Sequence, residues 1–141
     1  MIIFKLDIQA IPKQSVRQGK GFFYQDTKYL KYSRAIIKEV KKVLPNDFEI
    51  LDGYLKVTVI YVFPPLKGMS KKDKEYLENG GYIYKNTRPD VTDNLNKGLF
   101  DALQEVVYVD DSRISEVTAS KVFGKEAKII LKIEQINSKY I

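Results

Sequence analysis

Arg88-Pro-Asp-Val-Thr-Asp-Asn-Leu-Asn-Lys-Gly-Leu-Phe-Asp-Ala-Leu103 runs directly into Gln104-Glu-Val-Val-Tyr-Val-Asp-Asp-Ser-Arg113. Pro89 biases Arg88 towards extended backbone, so a loop leads in. Thr92 or Asp93 then starts a helix that continues to about Leu103. Leu95, Leu99, Ala102 and Leu103 fall on one face of it. Asp93, Lys97 and Asp101 step along another at four-residue spacing, with Phe100 beside them. The helix therefore buries one side and offers Asp93 and Lys97 on the other. Asp90 hangs just before its N-terminus, where the helix dipole favours an anion. Past the helix, residues 107–109 read as a short strand leading to Asp110 and Asp111.

Each acid has a bland reading and a chemical one. An Asp at a helix start is commonly a cap, and an Asp-Asp pair is commonly a turn or a helix start. Asp101 reads as structural, an i,i+4 partner for Lys97. The chemical reading takes the acids together. Metal-assisted phosphodiester cleavage needs oxygen ligands converging on divalent ions that polarise the phosphate and activate water. Asp90 and Asp93 from one segment and Asp111 from another would supply such a cage. Asp110 either joins it or faces away. Lys97 can orient the attacking water or stabilise charge on the phosphate.

Working outward, residues 114–123 and 127–136 read as the two arms of a hairpin, with Gly124-Lys125 at its turn. Residues 51–63, rich in β-branched and aromatic side chains, read as a central strand closed by Pro64-Pro65. Between that strand and the acidic stretch lies a long connection, residues 67–85. Ser70 caps a short helix there over residues 71–78, ended by Asn79-Gly80-Gly81. Its lysines make it either a substrate flap, with Lys71 and Lys72 on DNA, or a plain surface excursion.

The strongest helix signal covers residues 27–44, capped by Asp26 or Thr27 and stopped by Pro45. Tyr29, Tyr32, Ile36, Val40 and Val43 recur at helical spacing, with Leu30, Ile37 and Leu44 widening the stripe. Residues 2–8 alternate as a half-buried strand closed by Pro12. Residues 13–21 form a polar, basic loop followed by Phe22, Phe23 and Tyr24. Basic residues beside aromatics either hold a phosphate backbone and stack on bases, or the aromatics are core at a loop end. Lys13, Arg17, Lys20 and Lys28 are the candidates for a DNA track here.

Composition narrows the chemistry. The 141 residues predict one domain, 1–141. There is no cysteine and no histidine. Thiolate zinc sites, thiol nucleophiles and Ser-His or Cys-His systems are therefore excluded. The base of any hydrolase here must be a carboxylate, a lysine or a metal-bound water. Acid-rich oxygen sites suit Mg²⁺, with Mn²⁺ as a substitute. Twenty-four Lys and Arg stand against eighteen Asp and Glu, a net charge of +6 that favours a polyanionic partner. The N-terminal residues read as neither signal peptide nor membrane span, which fits a cytoplasmic protein.

These motifs resemble the RusA family of Holliday junction resolvases, including its many phage and prophage members. The pattern is Pro-Asp-x-Asp-Asn, a Lys three residues on, an apolar-Asp-Ala-Leu helix end and an Asp-Asp pair before a strand. Here it reads Pro89-Asp90, Asp93-Asn94, Lys97, Phe100-Asp101-Ala102-Leu103 and Asp110-Asp111. The stretches Ile11-Pro12-Lys13-Gln14 and Ser70-Lys71-Lys72 also look like phage members. One feature departs: the family usually has one residue between the first two acids, whereas Val91 and Thr92 both intervene here.

The resemblance implies a two-layer α/β (α+β) domain, a mixed β-sheet packed against two main helices. It implies an Mg²⁺-dependent, homodimeric endodeoxyribonuclease that resolves four-way DNA junctions by paired symmetric nicks, in DNA recombination and repair. Asp90, Asp93 and Asp111 become the metal-binding catalytic acids, and Lys97 the essential lysine. Two other readings stand beside it: a basic DNA-binding protein that keeps the fold without turnover, and a nuclease for other branched or flap DNA.

Overall fold

A computed structural model describes residues 1–13, 17–19, 22–24 and 27–141, the two three-residue segments by their backbone alone. In chain order the elements are β1 (Ile2–Leu6), β2 (Arg17–Gly19), β3 (Phe22–Tyr24), α1 (Thr27–Val43), β4 (Tyr54–Phe63), α2 (Lys71–Glu78), β5 (Ile83–Tyr84), α3 (Asn96–Leu103), β6 (Ile114–Phe123) and β7 (Lys128–Ile136). A π-helical turn, Val91–Leu95, leads into α3, and a 3₁₀ turn, Asp111–Arg113, leads into β6.

Five strands make one mixed sheet in the order β1-β7-β4-β6-β5. β4 is central, antiparallel to β7 and parallel to β6. Alternation explains its place. Leu55, Val57, Val59, Tyr61 and Phe63 are all buried on one face. Lys56, Thr58 and Ile60 are only half-buried on the other. Each fully buried apolar side chain contributes roughly 1.5–3 kcal/mol. α1 supplies Tyr29, Tyr32, Ile36 and Val40 to the same core, and α3 supplies Leu99, Ala102 and Leu103. The two helices pack against each other, and α1 also packs on β1. The result is the expected mixed sheet with two main helices.

α1 ends before Pro45, and its exposed side carries Lys31, Arg34, Lys38, Lys41 and Lys42. Its apolar stripe is narrower than the spacing predicts, since Leu30 and Val43 are exposed. α2 follows the predicted boundaries, with the Ser70 hydroxyl accepting from the Asp73 N–H. Tyr108 forms isolated bridges to Leu51 and to Gln104, so the short strand expected at 107–109 shrinks to one bridging residue.

Two expectations change. β6 and β7 are not hairpin partners, because β4 lies between them. The link at 124–127 crosses the end of β4 in close contact. Gly124 N–H donates to the Phe63 carbonyl at 2.9 Å. A Cβ at Gly124 would come within 2.5 Å of Val62 Cγ1, so only glycine fits that crossing. The basic stretch at 13–21 also contains strand: β2 pairs antiparallel with β3, Arg17 opposite Tyr24. Strands of three residues are too short to show periodicity.

Candidate active site

The acidic stretch begins with a widened turn. Leu95 N–H donates to the Asp90 carbonyl at 3.0 Å, an i to i+5 bond. A π turn holds one residue more than an α turn. It therefore lodges the second of the two residues between Asp90 and Asp93 without breaking the helix that follows. The sequence predicts an ordinary α start at Thr92 or Asp93. The structure puts the first α-helical residue at Asn96.

Several bonds fix this turn. Lys121, on β6, donates from Nζ to the carbonyls of Thr87 and Pro89, the latter at 2.9 Å. Tyr61 OH donates to Asn96 Oδ1 at 2.8 Å. The N-terminal segment straps across α3: Lys13 N–H donates to the Asn94 carbonyl at 3.1 Å, and Tyr29 OH to the Gly98 carbonyl at 2.9 Å. Gly98 allows that approach, since a Cβ there would lie 3.2 Å from the Ile11 carbonyl oxygen.

On this frame the Asp90, Asp93 and Lys97 side chains are exposed. Asp90 is the N-cap position, yet its side chain makes no capping bond. Lys97 joins none of the ion pairs among the described residues. Exposed polar groups on a turn fixed by these bonds are available to a ligand.

The other end of α3 carries a second group. Asp101 Oδ2 receives Lys13 Nζ at 2.7 Å, both side chains 19% exposed. Gln104 Nε2 donates to the other Asp101 oxygen at 3.1 Å, and the Asp111 N–H donates to Gln104 Oε1 at 3.4 Å. The Asp111 carboxyl stands near enough to Asp101 to feel its charge. Its pKa lies above the usual carboxylate value, first through desolvation, then through the negative charges of Asp110 and Asp101. Asp110 turns the other way and caps the 3₁₀ turn, accepting from Ser112 N–H at 3.0 Å. That bonding, with the Ser112 side chain first, holds its pKa below the usual value. Arg113 pins the turn to Asp52 at 2.7 Å.

Two of the predicted ligands thus stand at the head of the helical segment, and the third stands at its foot. Asp93 and Asp101 are eight residues apart, roughly 12 Å along a helix axis. Among the described residues no group of three acidic side chains is close enough to hold a metal ion. The structure instead joins Asp111 to Asp101. The chemistry of the donors suits a hard divalent cation, because Mg²⁺ is commonly held by one or two carboxylates with water completing its shell.

Asp101 was expected to pair with Lys97 and pairs with Lys13 instead. The Asp101, Lys13 and Gln104 arrangement has no signal in the sequence. Lys13 and Asp101 lie 88 residues apart, and helical spacing reports only neighbours on one helix.

Of the DNA-track candidates, Lys28, Lys71 and Lys72 are exposed, Lys28 in the first turn of α1 and the others opening α2. Lys13 is engaged by Asp101 and lies 5.3 Å from the Tyr29 ring centroid. Lys20 and the Arg17 side chain fall outside the described residues, as do the Asp26 cap and the side chains of Phe22, Phe23 and Tyr24.

A family model described as Endodeoxyribonuclease RusA matches residues 7–134. A Bacillus subtilis (strain 168) relative, described as "Uncharacterized protein YqaN", is 28% identical over 130 residues. That alignment covers 92% of this chain and 90% of the relative.

Proposed function

The chain belongs to the RusA endodeoxyribonuclease family, and from that premise we propose that it resolves four-way DNA junctions by paired, metal-dependent nicks. The observation that carries the reading is the uncommitted set Asp90, Asp93 and Lys97, held in place yet exposed, on the same helical segment that contacts Asp111 through Asp101. Asp90, Asp93 and Asp111 would hold Mg²⁺, or Mn²⁺ in its place. When bound, such an ion supplies Lewis-acid polarisation of the scissile phosphate and acidifies the attacking water.

The chain's own residues do the rest. Lys97, in no ion pair among the described residues, offers its ammonium to a phosphate oxygen as negative charge builds there. Lys13 neutralises Asp101 and so keeps the acidic foot of α3 from repelling the DNA backbone. Lys28, Lys71 and Lys72 give exposed positive charge for phosphates further along the strand. A homodimer fits this substrate, since a two-fold axis presents two equivalent sites to two equivalent strands.

The test compares a mobile four-way junction, a flap and a linear duplex, each with Mg²⁺ or with chelator. The junction is nicked symmetrically in Mg²⁺ and stays intact in chelator. Asp93→Asn and Asp111→Asn abolish cutting and keep junction binding. Normal cutting by either variant overturns the assignment. Faster cutting of the flap makes flaps the substrate. Binding without cleavage in both Mg²⁺ and Mn²⁺ makes the chain a DNA-binding protein that retains the fold.

A further inference from the structure

We propose that the cleft walled by Phe63, Pro64, Pro65, Phe123, Lys85 and Arg88 takes one unstacked nucleotide of branched DNA, immediately beside the acidic turn. The proposal rests on the DNA-cleaving reading above and adds a binding subsite to it. The cleft encloses roughly 280 Å³. That is near the lower end of ligand-sized clefts, about 300–1,000 Å³, so it suits one nucleotide and not a duplex.

Its walls match the two halves of a nucleotide. Phe63 and Phe123 are register partners at the ends of the parallel strands β4 and β6. Both rings are nearly buried and form the apolar floor of the cleft, while Pro64 and Pro65 are exposed and give the apolar surface on which a base can pack. Lys85 sits over both rings, 5.3 Å from the Phe63 centroid and 4.7 Å from that of Phe123. Its ammonium donates to Thr87 Oγ1 at 2.8 Å, which leaves two of its three donors for a phosphate. Arg88 is exposed and joins none of the ion pairs among the described residues. Among the described residues no acidic side chain lines the cleft. Burial, and then the nearby Lys121, press the Lys85 pKa downwards, and an anion beside it acts in the opposite direction.

Position argues for the same occupant. Pro89 lines the cleft and Asp90 is the next residue. A nucleotide seated there adjoins the phosphate presented to Asp90. In continuous duplex both faces of a base are covered by its neighbours, whereas an open branch point leaves a base face free.

The experiment measures affinity in chelator, so that nothing is cut, for a four-way junction, a flap and a linear duplex. Single abasic nucleotides are scanned across the branch point of the first two. Wild type should lose about tenfold in affinity at one abasic position. Lys85→Met and Arg88→Ala should each weaken binding of the intact junction several-fold and keep duplex affinity within about twofold, which also reports that they fold. A flat abasic scan for wild type, or junction affinity unchanged in both variants, overturns the proposal. The intact substrates test the parent reading separately. A junction preference with a flat scan removes only the nucleotide subsite. No junction preference with an abasic penalty on the flap removes only the junction assignment.

Discussion

Asp111 ionises against its surroundings. Desolvation and two neighbouring carboxylates raise its pKa in the folded chain. The sign of the linkage follows. A carboxyl whose folded pKa exceeds its unfolded one binds extra protons when folded, so stability falls as pH rises between the two values. The stabilising share is complete below the ordinary Asp pKa and is lost above the raised one. Asp111→Asn should therefore melt at a higher temperature than wild type at neutral pH in chelator, while cutting nothing. The gap should narrow as pH falls below the usual carboxylate range. Thermal melts at neutral and acid pH check this. A variant less stable at neutral pH would show that Asp111 holds the fold and does not burden it. Legibility at this scale was uneven. The residue types and spacing marked Asp90, Asp93, Lys97 and Asp111 as a chemical set. The contact between Asp111 and Asp101, with Lys13 as counter-ion, needed three distant segments to fold together.

At the scale of elements, the helices were the most legible. α1 and α2 could be read from apolar spacing, the Ser70 cap and Pro45, because these features act within one or two turns. The π turn was not legible. Nothing local distinguishes Val91-Thr92 as a widened turn from a loop before an ordinary helix. The difference lies in the Asp90 carbonyl bonding to Leu95 N–H. Strand pairing escaped for a related reason. Gly124-Lys125 looks like a hairpin turn because turn chemistry reports a reversal, not which strand fills the space between.

The strap across α3 gives a prediction at this scale. A methyl at Gly98 would stand 3.2 Å from the Ile11 carbonyl oxygen and 3.3 Å from Lys13 N. Alanine gains about 1 kcal/mol in helix propensity, but crowding a packed contact costs about 1–3 kcal/mol. Gly98→Ala should thus be destabilised by about 1 kcal/mol, read by chemical denaturation. A variant more stable than wild type would show that the N-terminal segment is not held against α3.

Over the whole molecule, charge and fold point the same way. The chain carries +6; six of its eighteen acids, Asp90, Asp93, Asp101, Glu105, Asp110 and Asp111, lie in or beside α3, while exposed lysines and Arg34 line α1 and lysines open α2. No helix among the described residues is long and apolar enough to cross a membrane. Such a surface attracts a polyanion and keeps a small acidic region for chemistry on it. The fold places Asp90 and Asp93 at one end of the α3 segment and Asp111 at the other, with Asp101 as its neighbour. The central claim is that the acids at both ends bind divalent ions for the cut.

Titrating Mn²⁺ into the protein and following free ion by electron paramagnetic resonance tests that claim most directly. Wild type should bind the ion, and Asp93→Asn and Asp111→Asn should each weaken that binding by at least about tenfold. Mn²⁺ binding unchanged in both variants would contradict it.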